Sequence, residues 1–171
     1  MAQNIVLVGF PGAGKSTIGK NLAPLLGLRF VDLDKYVEQR FQYSVPQLFA
    51  QFGELVFRKC EFEALSEILQ DNHQLIATGG GTPCYEQAMQ LIKKKNFSIY
   101  IKMSEEAIVQ RLSKSKKPRP LTSHLSLEEL QAYVHQTLQK RAHYYEQAHL
   151  IVDGENLDIP RLAEEIHKMA I

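Results

Sequence analysis

The clearest chemical signature of this chain is a short glycine-rich motif close to its first residues. Residues 9–16 match the pattern G-x-x-x-x-G-K-[ST], whose glycines let the loop curl and bring successive backbone N–H groups to one anion. Lys15 can reach the outer phosphates of a nucleotide, and the Ser16 hydroxyl can ligate magnesium. The motif therefore predicts a site for a nucleoside triphosphate with Mg²⁺. The alternative is a glycine-rich turn that only joins a strand to a helix.

The residues on either side of the motif give it a structural context. Residues 4–8 form an apolar, β-branched run of strand length, and residues 17–26 have the pattern of a helix. A helix that begins at the end of the loop directs its positive dipole end toward the same anion. The nucleotide contacts predicted in this segment are Gly12, Ala13, Gly14, Lys15, Ser16 and Thr17.

Length and composition are those of one globular domain. The 171 residues are 44% hydrophobic and 23% charged, and we expect a single domain over residues 1–171. A net charge of +1 and the lack of a long apolar run indicate neither a nucleic-acid partner nor a membrane. The two cysteines, Cys60 and Cys84, are too few for a disulfide scaffold and have no zinc-like spacing. We therefore expect a cytoplasmic protein.

Strand-like and helix-like segments alternate along the chain. Predicted strands are residues 4–8, 28–32, 74–78, 97–101 and 149–152, and predicted helices include residues 17–26, 54–70, 85–95, 104–112, 126–147 and 159–169. This alternation predicts an α/β fold with a five-stranded parallel sheet and helices on both faces. Ligands of such sheets bind at the carboxyl ends of the strands, where the glycine-rich motif, Asp32 and residues 79–81 all fall.

Two kinds of local signal mark the boundaries of these segments. Residues 113–120 are polar, basic and interrupted by prolines, which predicts a mobile loop. Ser126 with Glu129 forms the pattern of a capping box, and Ser44 followed by Gln47 predicts a second helix start of the same kind.

Two aspartates follow the second predicted strand at positions 32 and 34. Residues two apart at the end of a strand point the same way, so both carboxylates are expected to face the nucleotide site. One could hold magnesium through water, and the other could orient or deprotonate a hydroxyl nucleophile, as phosphoryl transfer requires. The alternative is that Asp32 and Asp34 only cap the next helix, a position that aspartate favours.

Three arginines and a glycine triplet are further candidates for binding a ligand. Arg58, Arg119 and Arg141 carry forked guanidinium groups that suit carboxylates and phosphates, although an arginine taken alone is more often a solvated surface residue. Gly79, Gly80 and Gly81 end the third predicted strand and can offer backbone N–H groups to a ligand at close range. A tight turn alone would not need three glycines.

In combination, these residues resemble one family, shikimate kinase, along almost the whole chain. The matching segments are residues 9–17, Phe30 to Asp34, Gly53-Glu54, Phe57-Arg58, Glu61, Ala77 to Gly81, Arg119-Pro120-Leu121, and Arg141 with Tyr144-Tyr145. The resemblance implies a three-layer P-loop kinase fold like that of nucleoside monophosphate kinases. It also implies transfer of the γ-phosphoryl group of ATP to the 3-hydroxyl of shikimate, which gives ADP and shikimate 3-phosphate in aromatic amino-acid biosynthesis.

The resemblance also implies roles for the acceptor side of the site. Arg58 and Arg141 would bind the carboxylate of shikimate, and Glu61 would hold Arg58 in place. Asp34 would contact the ring hydroxyls and act as the general base. The backbone of Gly80 and Gly81 would complete the substrate-binding set. A substrate-binding section is expected at about residues 33–61.

On the nucleotide side, the resemblance implies that Asp32 and Ser16 serve magnesium. Lys15 and Arg119 would steady the transferring phosphoryl group, with Arg119 carried in by a lid at about residues 113–124. Arg111, just before the lid, is the candidate for stacking on adenine.

Three alternatives remain open at this point. The first is another small-molecule kinase with the same loop, for example one for gluconate or a nucleotide, and Arg58 with Arg141 beside Asp34 disfavours it. The second is a relative without activity, which would be expected to have lost catalytic residues. The third is a GTP-dependent switch, which should carry an N-K-x-D motif that this sequence lacks. We expect a monomer that binds ATP or ADP and shikimate.

Overall fold

The fold is built on a five-stranded, wholly parallel sheet, seen in a computed structural model that describes residues 4–116 and 119–169. The strands are β1 (Ile5–Val8), β2 (Arg29–Asp32), β3 (Gln74–Ala77), β4 (Phe97–Lys102) and β5 (Leu150–Asp153). Their order across the sheet is β2-β3-β1-β4-β5. Each corresponds to a predicted strand, which confirms the predicted α/β class and the five parallel strands.

The register of the sheet brings the carboxyl ends of three strands together. Leu7 of β1 and Asp32 of β2 both pair with Ala77 of β3. All four residues of β1 are buried, as are those of β3, because helices cover both faces of the sheet. The glycine-rich loop, Asp32 and the glycine triplet therefore leave the sheet along one edge.

Seven helices are found in the described part of the chain. They are α1 (Lys15–Leu25), α2 (Leu33–Phe41), α3 (Val45–Ile68), α4 (Ala88–Lys95), α5 (Glu105–Ser113), α6 (Leu127–Tyr145) and α7 (Ile159–Lys168), with a short 3-10 turn at Thr82–Cys84. Both predicted capping boxes are present. The Ser126 hydroxyl accepts from the Glu129 N–H at 3.2 Å, and the Ser44 hydroxyl accepts from the Gln47 N–H at 3.3 Å.

The segment after β2 differs from its prediction. The strand ends at Asp32, and Asp34 already lies in the first turn of α2, a helix that the sequence did not clearly signal. The argument that two residues of one strand point the same way was therefore wrong for this pair, because a strand period cannot apply across a helix start.

Two helix boundaries also differ from their predictions. The predicted helix starts at Ser44 and Glu54 belong to one run, α3, which bends at Gly53 with φ 80° and ψ 170°. The helix predicted from Tyr85 begins three residues later, at Ala88. One of the two residues between them, Glu86, has a φ of 46°, which lies outside the right-handed helical region.

The predicted lid residues are described only in part. Lys117 and Pro118 lie outside the described residues, whereas Ser113 ends α5 and residues 120–124 form turns. In these turns the Arg119 carbonyl accepts from the N–H groups of Thr122 and Ser123, each at 3.0 Å. The Ser123 hydroxyl closes them further by accepting from the Arg119 N–H at 2.6 Å.

The described part of the chain contains neither a membrane-spanning helix nor a disulfide. No helix among the described residues is long and apolar enough to cross a bilayer. Cys60 and Cys84 are free thiols and are both half-buried.

The bend at Gly53 gives a stability prediction. A Cβ at this position would meet no atom within 4 Å, so only the backbone conformation opposes a larger residue. We expect Gly53→Ala to lower the free energy of unfolding by about 1–2 kcal/mol, because this φ/ψ region is almost restricted to glycine. Denaturant unfolding followed by circular dichroism measures the loss. The exposed neighbour Gln51→Ala should change less than about 0.5 kcal/mol. Equal stabilities of Gly53→Ala and the wild type would contradict the prediction.

Candidate active site

A cavity of about 890 Å³ opens where the carboxyl ends of β1, β2 and β3 meet. The predicted site residues that line it are Gly12, Gly14, Lys15, Ser16, Thr17, Asp32, Asp34, Arg58, Gly80, Gly81, Arg111, Arg119 and Arg141. Ala13 is the exception, because its side chain is fully buried and its N–H donates to the Phe10 carbonyl at 3.1 Å. Segments far apart in sequence thus converge on one space.

The glycine-rich loop takes the shape that its composition predicts. Gly12 and Gly14 have φ values of 87° and 88°, a left-handed conformation that favours glycine. Gly14 is the N-cap of α1, so the loop runs directly into the first turn of that helix. The free N–H groups and positive dipole end of α1 therefore face the cavity, which is the arrangement that binds phosphate.

Lys15 is buried at the base of the loop. Its Nζ donates to the carbonyls of Gly9 at 2.8 Å and Phe10 at 3.0 Å. Burial lowers the pKa of Lys15 to about 7, the charges of Asp34 and Asp32 oppose the shift, and Arg119 and Arg141 add to it. A phosphate anion close to Lys15 would raise its pKa again and favour the charged form, so an anionic ligand and the charged lysine stabilise each other.

Asp32 serves two functions with its two carboxylate oxygens. Its Oδ2 accepts from the Ser16 hydroxyl at 2.7 Å, whereas Oδ1 accepts from the Lys35 N–H at 3.3 Å and caps α2. The capping alternative is thus confirmed for Asp32, and the same side chain also contacts Ser16 of the glycine-rich motif. Capping fixes Asp32 in position and leaves Oδ2 beside Ser16 at the edge of the cavity.

The oxygen atoms of Asp32 and Ser16 suit a magnesium ion that arrives with a nucleotide. Mg²⁺ is usually held by one or two carboxylates together with substrate phosphates and waters. Within residues 4–116 and 119–169 no group of three or more His, Cys, Asp or Glu could hold a metal alone. The oxygens of Asp32 and Ser16 would therefore need phosphate oxygens and water to complete the ligands of the ion.

Asp34 lies among the cations of the cavity. From the first turn of α2 it is close enough to Lys15 and Arg119 for its charge to raise the pKa of each. A Cβ on Gly79 would lie 3.4 Å from its Oδ1. Asp34 is therefore located between the nucleotide loop and the glycine triplet, although not for the reason that the sequence suggested.

Arg58 is held by a buried ion pair. Its Nη1 lies 2.8 Å from Oε2 of Glu61, whose side chain is 1% exposed, and its Nη2 lies 3.3 Å from Oε1 of Glu54. The other Glu61 oxygen accepts from the Thr82 hydroxyl at 2.5 Å. Burial raises the pKa of Glu61, and Arg58 and Thr82 oppose that rise. This contact between Glu61 and Arg58 is the one that the family resemblance implied.

The glycine triplet is required by close packing as well as by access to a ligand. A methyl group on Gly79 would overlap Glu61, one on Gly80 would overlap Pro11, and one on Gly81 would overlap Arg58. Each glycine thus lets a different part of the site approach the backbone. The sequence signalled the close approach, but it did not reveal that the neighbours would be side chains of the site itself.

The remaining arginines approach the cavity from α5, the lid segment and α6. The Arg111 Nη1 donates to the Gly12 carbonyl at 3.4 Å, so this exposed residue lies against the nucleotide loop. Burial lowers the pKa of Arg119, and among the described residues its buried Nε has no hydrogen-bond partner. The Arg141 guanidinium lies 5.8 Å from the centroid of the Phe10 ring. A phosphate oxygen could satisfy the Arg119 Nε.

Sequence reasoning named Tyr145 only as part of the family resemblance and gave this buried residue no role. Tyr145 is completely buried, and its hydroxyl donates to the Gly80 carbonyl at 2.5 Å. The available signal was its position four residues after Arg141, on the same helical face.

A parallel sheet with this loop, a lysine at its base and an arginine-bearing lid segment defines the class of P-loop kinases. The chain matches the family profile described as Shikimate kinase over residues 11–170. It belongs to the shikimate kinase family. A shikimate kinase of Parabacteroides distasonis is 41% identical over 155 residues, which cover 91% of this chain and 90% of that protein. One of Flavobacterium johnsoniae is 37% identical over 166 residues and 96% of each chain.

Solved structures agree with the sequence relatives. A crystal structure of shikimate kinase from Bacteroides thetaiotaomicron superposes with a TM-score of 0.90 at 32% identity, covering 98% of each chain. Shikimate kinase from Acinetobacter baumannii in complex with shikimate gives a TM-score of 0.86 at 29% identity, covering 99% of this chain and 93% of that one. These likenesses confirm the P-loop kinase fold.

The low pKa of Lys15 gives a prediction for nucleotide binding. The free enzyme loses this charge above a pH of about 7, and the bound triphosphate favours the charged form. Binding of a magnesium-loaded, non-hydrolysable ATP analogue should therefore take up about one proton at pH 8 and far less at pH 6. Calorimetry in buffers of different ionisation enthalpy measures the uptake.

Lys15→Arg is the matched control, because its guanidinium keeps its charge at both pH values. The prediction is wrong if proton uptake is equal at pH 6 and pH 8.

Proposed function

We propose that this chain is a shikimate kinase that transfers the γ-phosphoryl group of ATP to the 3-hydroxyl of shikimate. The products are ADP and shikimate 3-phosphate, on the route to aromatic amino acids. The observation that carries the proposal is that one cavity joins the phosphate-binding loop to Arg58 and Arg141, with Asp34 between them. This set suits a small acceptor that carries both a carboxylate and hydroxyls.

Acceptor binding rests on the two arginines and the glycine triplet. Arg58 and Arg141 bind the carboxylate through forked, charge-assisted hydrogen bonds. Because Glu61 already holds the Arg58 guanidinium, little side-chain entropy is lost when the acceptor binds. Gly80 and Gly81 let the acceptor approach the backbone closely.

Phosphoryl transfer rests on charge and position. Asp34 orients the acceptor hydroxyl and takes its proton as the hydroxyl oxygen attacks phosphorus. Lys15 and Arg119 hold the oxygens of the transferring group, whose charge they offset. The buried position of Lys15 strengthens its interaction with the nucleotide, because water does not screen it.

We further propose that Asp32, through water, and Ser16 hold the magnesium that accompanies ATP. When bound there, the ion neutralises charge on the β- and γ-phosphates. The Ser16 hydroxyl donates its proton to Asp32, so the lone pairs of its oxygen stay available to the ion.

Three larger features complete the proposal. Residues 33–61 form the substrate-binding section and residues 113–124 the lid, while Arg111 stacks on adenine. One chain supplies both substrate sites, so we propose that the enzyme acts as a monomer. We propose that the enzyme works in the cytoplasm, because its two half-buried cysteines are free thiols and its reaction uses ATP.

The direct test is steady-state ADP release with ATP and magnesium, with and without shikimate. We expect turnover that depends on shikimate and is abolished by chelation of magnesium. Asp34→Asn should abolish turnover while binding of a fluorescent ATP analogue is retained, and Asp71→Asn, an exposed aspartate, should be active. Turnover on gluconate or a nucleotide but not on shikimate would refute the proposal, and full activity of Asp34→Asn would remove that residue from the mechanism.

Arg58 provides a prediction about substrate specificity. We expect Arg58→Ala to raise the KM for shikimate about 100-fold and the KM for ATP less than threefold, because one charge-assisted pair to the carboxylate is lost. Arg40→Ala is the matched control, since Arg40 pairs with Glu67 on the surface of the same section. Equal effects of Arg58→Ala on both KM values would mean that Arg58 does not bind the carboxylate.

A further inference from the structure

The Tyr145 side chain connects the end of α6 to the glycine triplet. Its hydroxyl donates to the Gly80 carbonyl at 2.5 Å, and its ring packs 5.2 Å from the centroid of the Tyr100 ring. The residue has no exposed surface and does not line the cavity. Tyr145 therefore cannot touch a substrate and can act only through the groups that it contacts.

The hydroxyl lies in a dense polar environment. Burial raises the pKa of Tyr145, while the charge of Arg141 and a hydrogen bond from it oppose that rise. The Cys84 thiol is a further neighbour of the hydroxyl. Tyr145 thus keeps its proton at neutral pH and donates to Gly80.

The contact with Gly80 determines how one peptide group is oriented. The Gly80 C=O and the Gly81 N–H belong to the same peptide unit, and in a trans peptide these two groups point in opposite directions. No described residue has a cis peptide bond. Because the carbonyl points inward to buried Tyr145, the Gly81 N–H points outward, to the side where Gly80 and Gly81 line the cavity.

The peptide between Gly80 and Gly81 needs a contact of this kind to hold one orientation. A peptide between two glycines has few steric limits on its rotation, so local sequence does not select one orientation. A hydrogen bond to a buried, rigid phenol can select it, since a buried carbonyl left unpaired is costly.

We infer that Tyr145 is a positioning residue for the acceptor, whose hydroxyl orients the Gly80–Gly81 peptide so that the Gly81 N–H can donate to bound shikimate. The inference rests on the proposed function. Arg141, the second acceptor contact, lies one turn earlier on α6, and its charge acts on the Tyr145 hydroxyl. Tyr145 is therefore next to two acceptor contacts that come from separate parts of the chain.

The decisive variant is Tyr145→Phe, which keeps the ring and removes the hydroxyl. We expect the KM for shikimate to rise about tenfold, the equivalent of one misplaced hydrogen bond, while the KM for ATP changes less than twofold. Tyr100→Phe is the matched control, because it removes a buried hydroxyl from the adjoining ring without touching Gly80. Tyr100→Phe should leave both KM values within twofold of the wild type.

An NMR measurement separates positioning from a loss of stability. In wild-type protein labelled with ¹⁵N, the Gly81 amide resonance should shift when shikimate is added. In Tyr145→Phe that shift should be lost, while the amides of the nucleotide loop still respond to an ATP analogue. This response would also show that the variant is folded.

The possible outcomes are distinct. An unchanged KM for shikimate in Tyr145→Phe, or a Gly81 amide that still shifts, overturns the inference. A parallel rise in both KM values, or the same rise in Tyr100→Phe, assigns the effect to general packing and overturns it too. A wild-type enzyme that does not phosphorylate shikimate refutes the proposed function itself, and with it the inference, and this is seen without any variant.

Discussion

The buried carboxylate of Glu61 is the interaction on which the acceptor side of the site depends. It pairs with Arg58, accepts from Thr82, and lies against the backbone of Gly79, so one side chain joins α3 to the segment after β3. A buried charge is costly unless it is paired and hydrogen-bonded, and here both oxygens are used. Removing Arg58 or Thr82 would leave the buried charge incompletely compensated, so these contacts hold Arg58 in position before any ligand binds.

On the nucleotide side of the cavity, in contrast, buried cations lack an anionic partner of this kind among residues 4–116 and 119–169. Lys15 and Arg119 both have pKa values lowered by burial, and part of Arg119 lacks a hydrogen-bond partner within the described residues. These cations are desolvated in advance, so an incoming anion gains strong interactions without displacing a full hydration shell. The Arg58 guanidinium, which faces the acceptor, is thus already paired, whereas the cations that face the nucleotide still lack an anionic partner at ion-pair distance in the part of the chain that the structure describes.

The sequence predicted the chemistry of this site better than its local geometry. The glycine-rich loop was predictable because its pattern encodes a backbone shape, and the five strands because their apolar runs are bounded by turn residues. Asp34 was correctly predicted to face the cavity, but for a wrong reason. The strand β2 ends at Asp32 and the helix α2 begins at the next residue, and sequence propensity cannot locate such a boundary to a single residue. The packing of Gly79 against Glu61, and the contact of Tyr145 with Gly80, arise between segments distant in sequence and have no local signal.

The helix α6 connects the nucleotide side of the cavity with its acceptor side. The lid segment with Arg119 leads into the N-terminus of α6, and Arg141 and Tyr145 lie near its C-terminus. A helix of 19 residues spans about 28 Å, so α6 reaches from the lid segment to the glycine triplet. The segment that carries Arg119 and the helix that carries Arg141 are therefore consecutive parts of one stretch of chain. The C-terminal end of that helix is fastened to Gly80 by the Tyr145 hydrogen bond, so the acceptor side of the cavity is tied to the edge of the sheet.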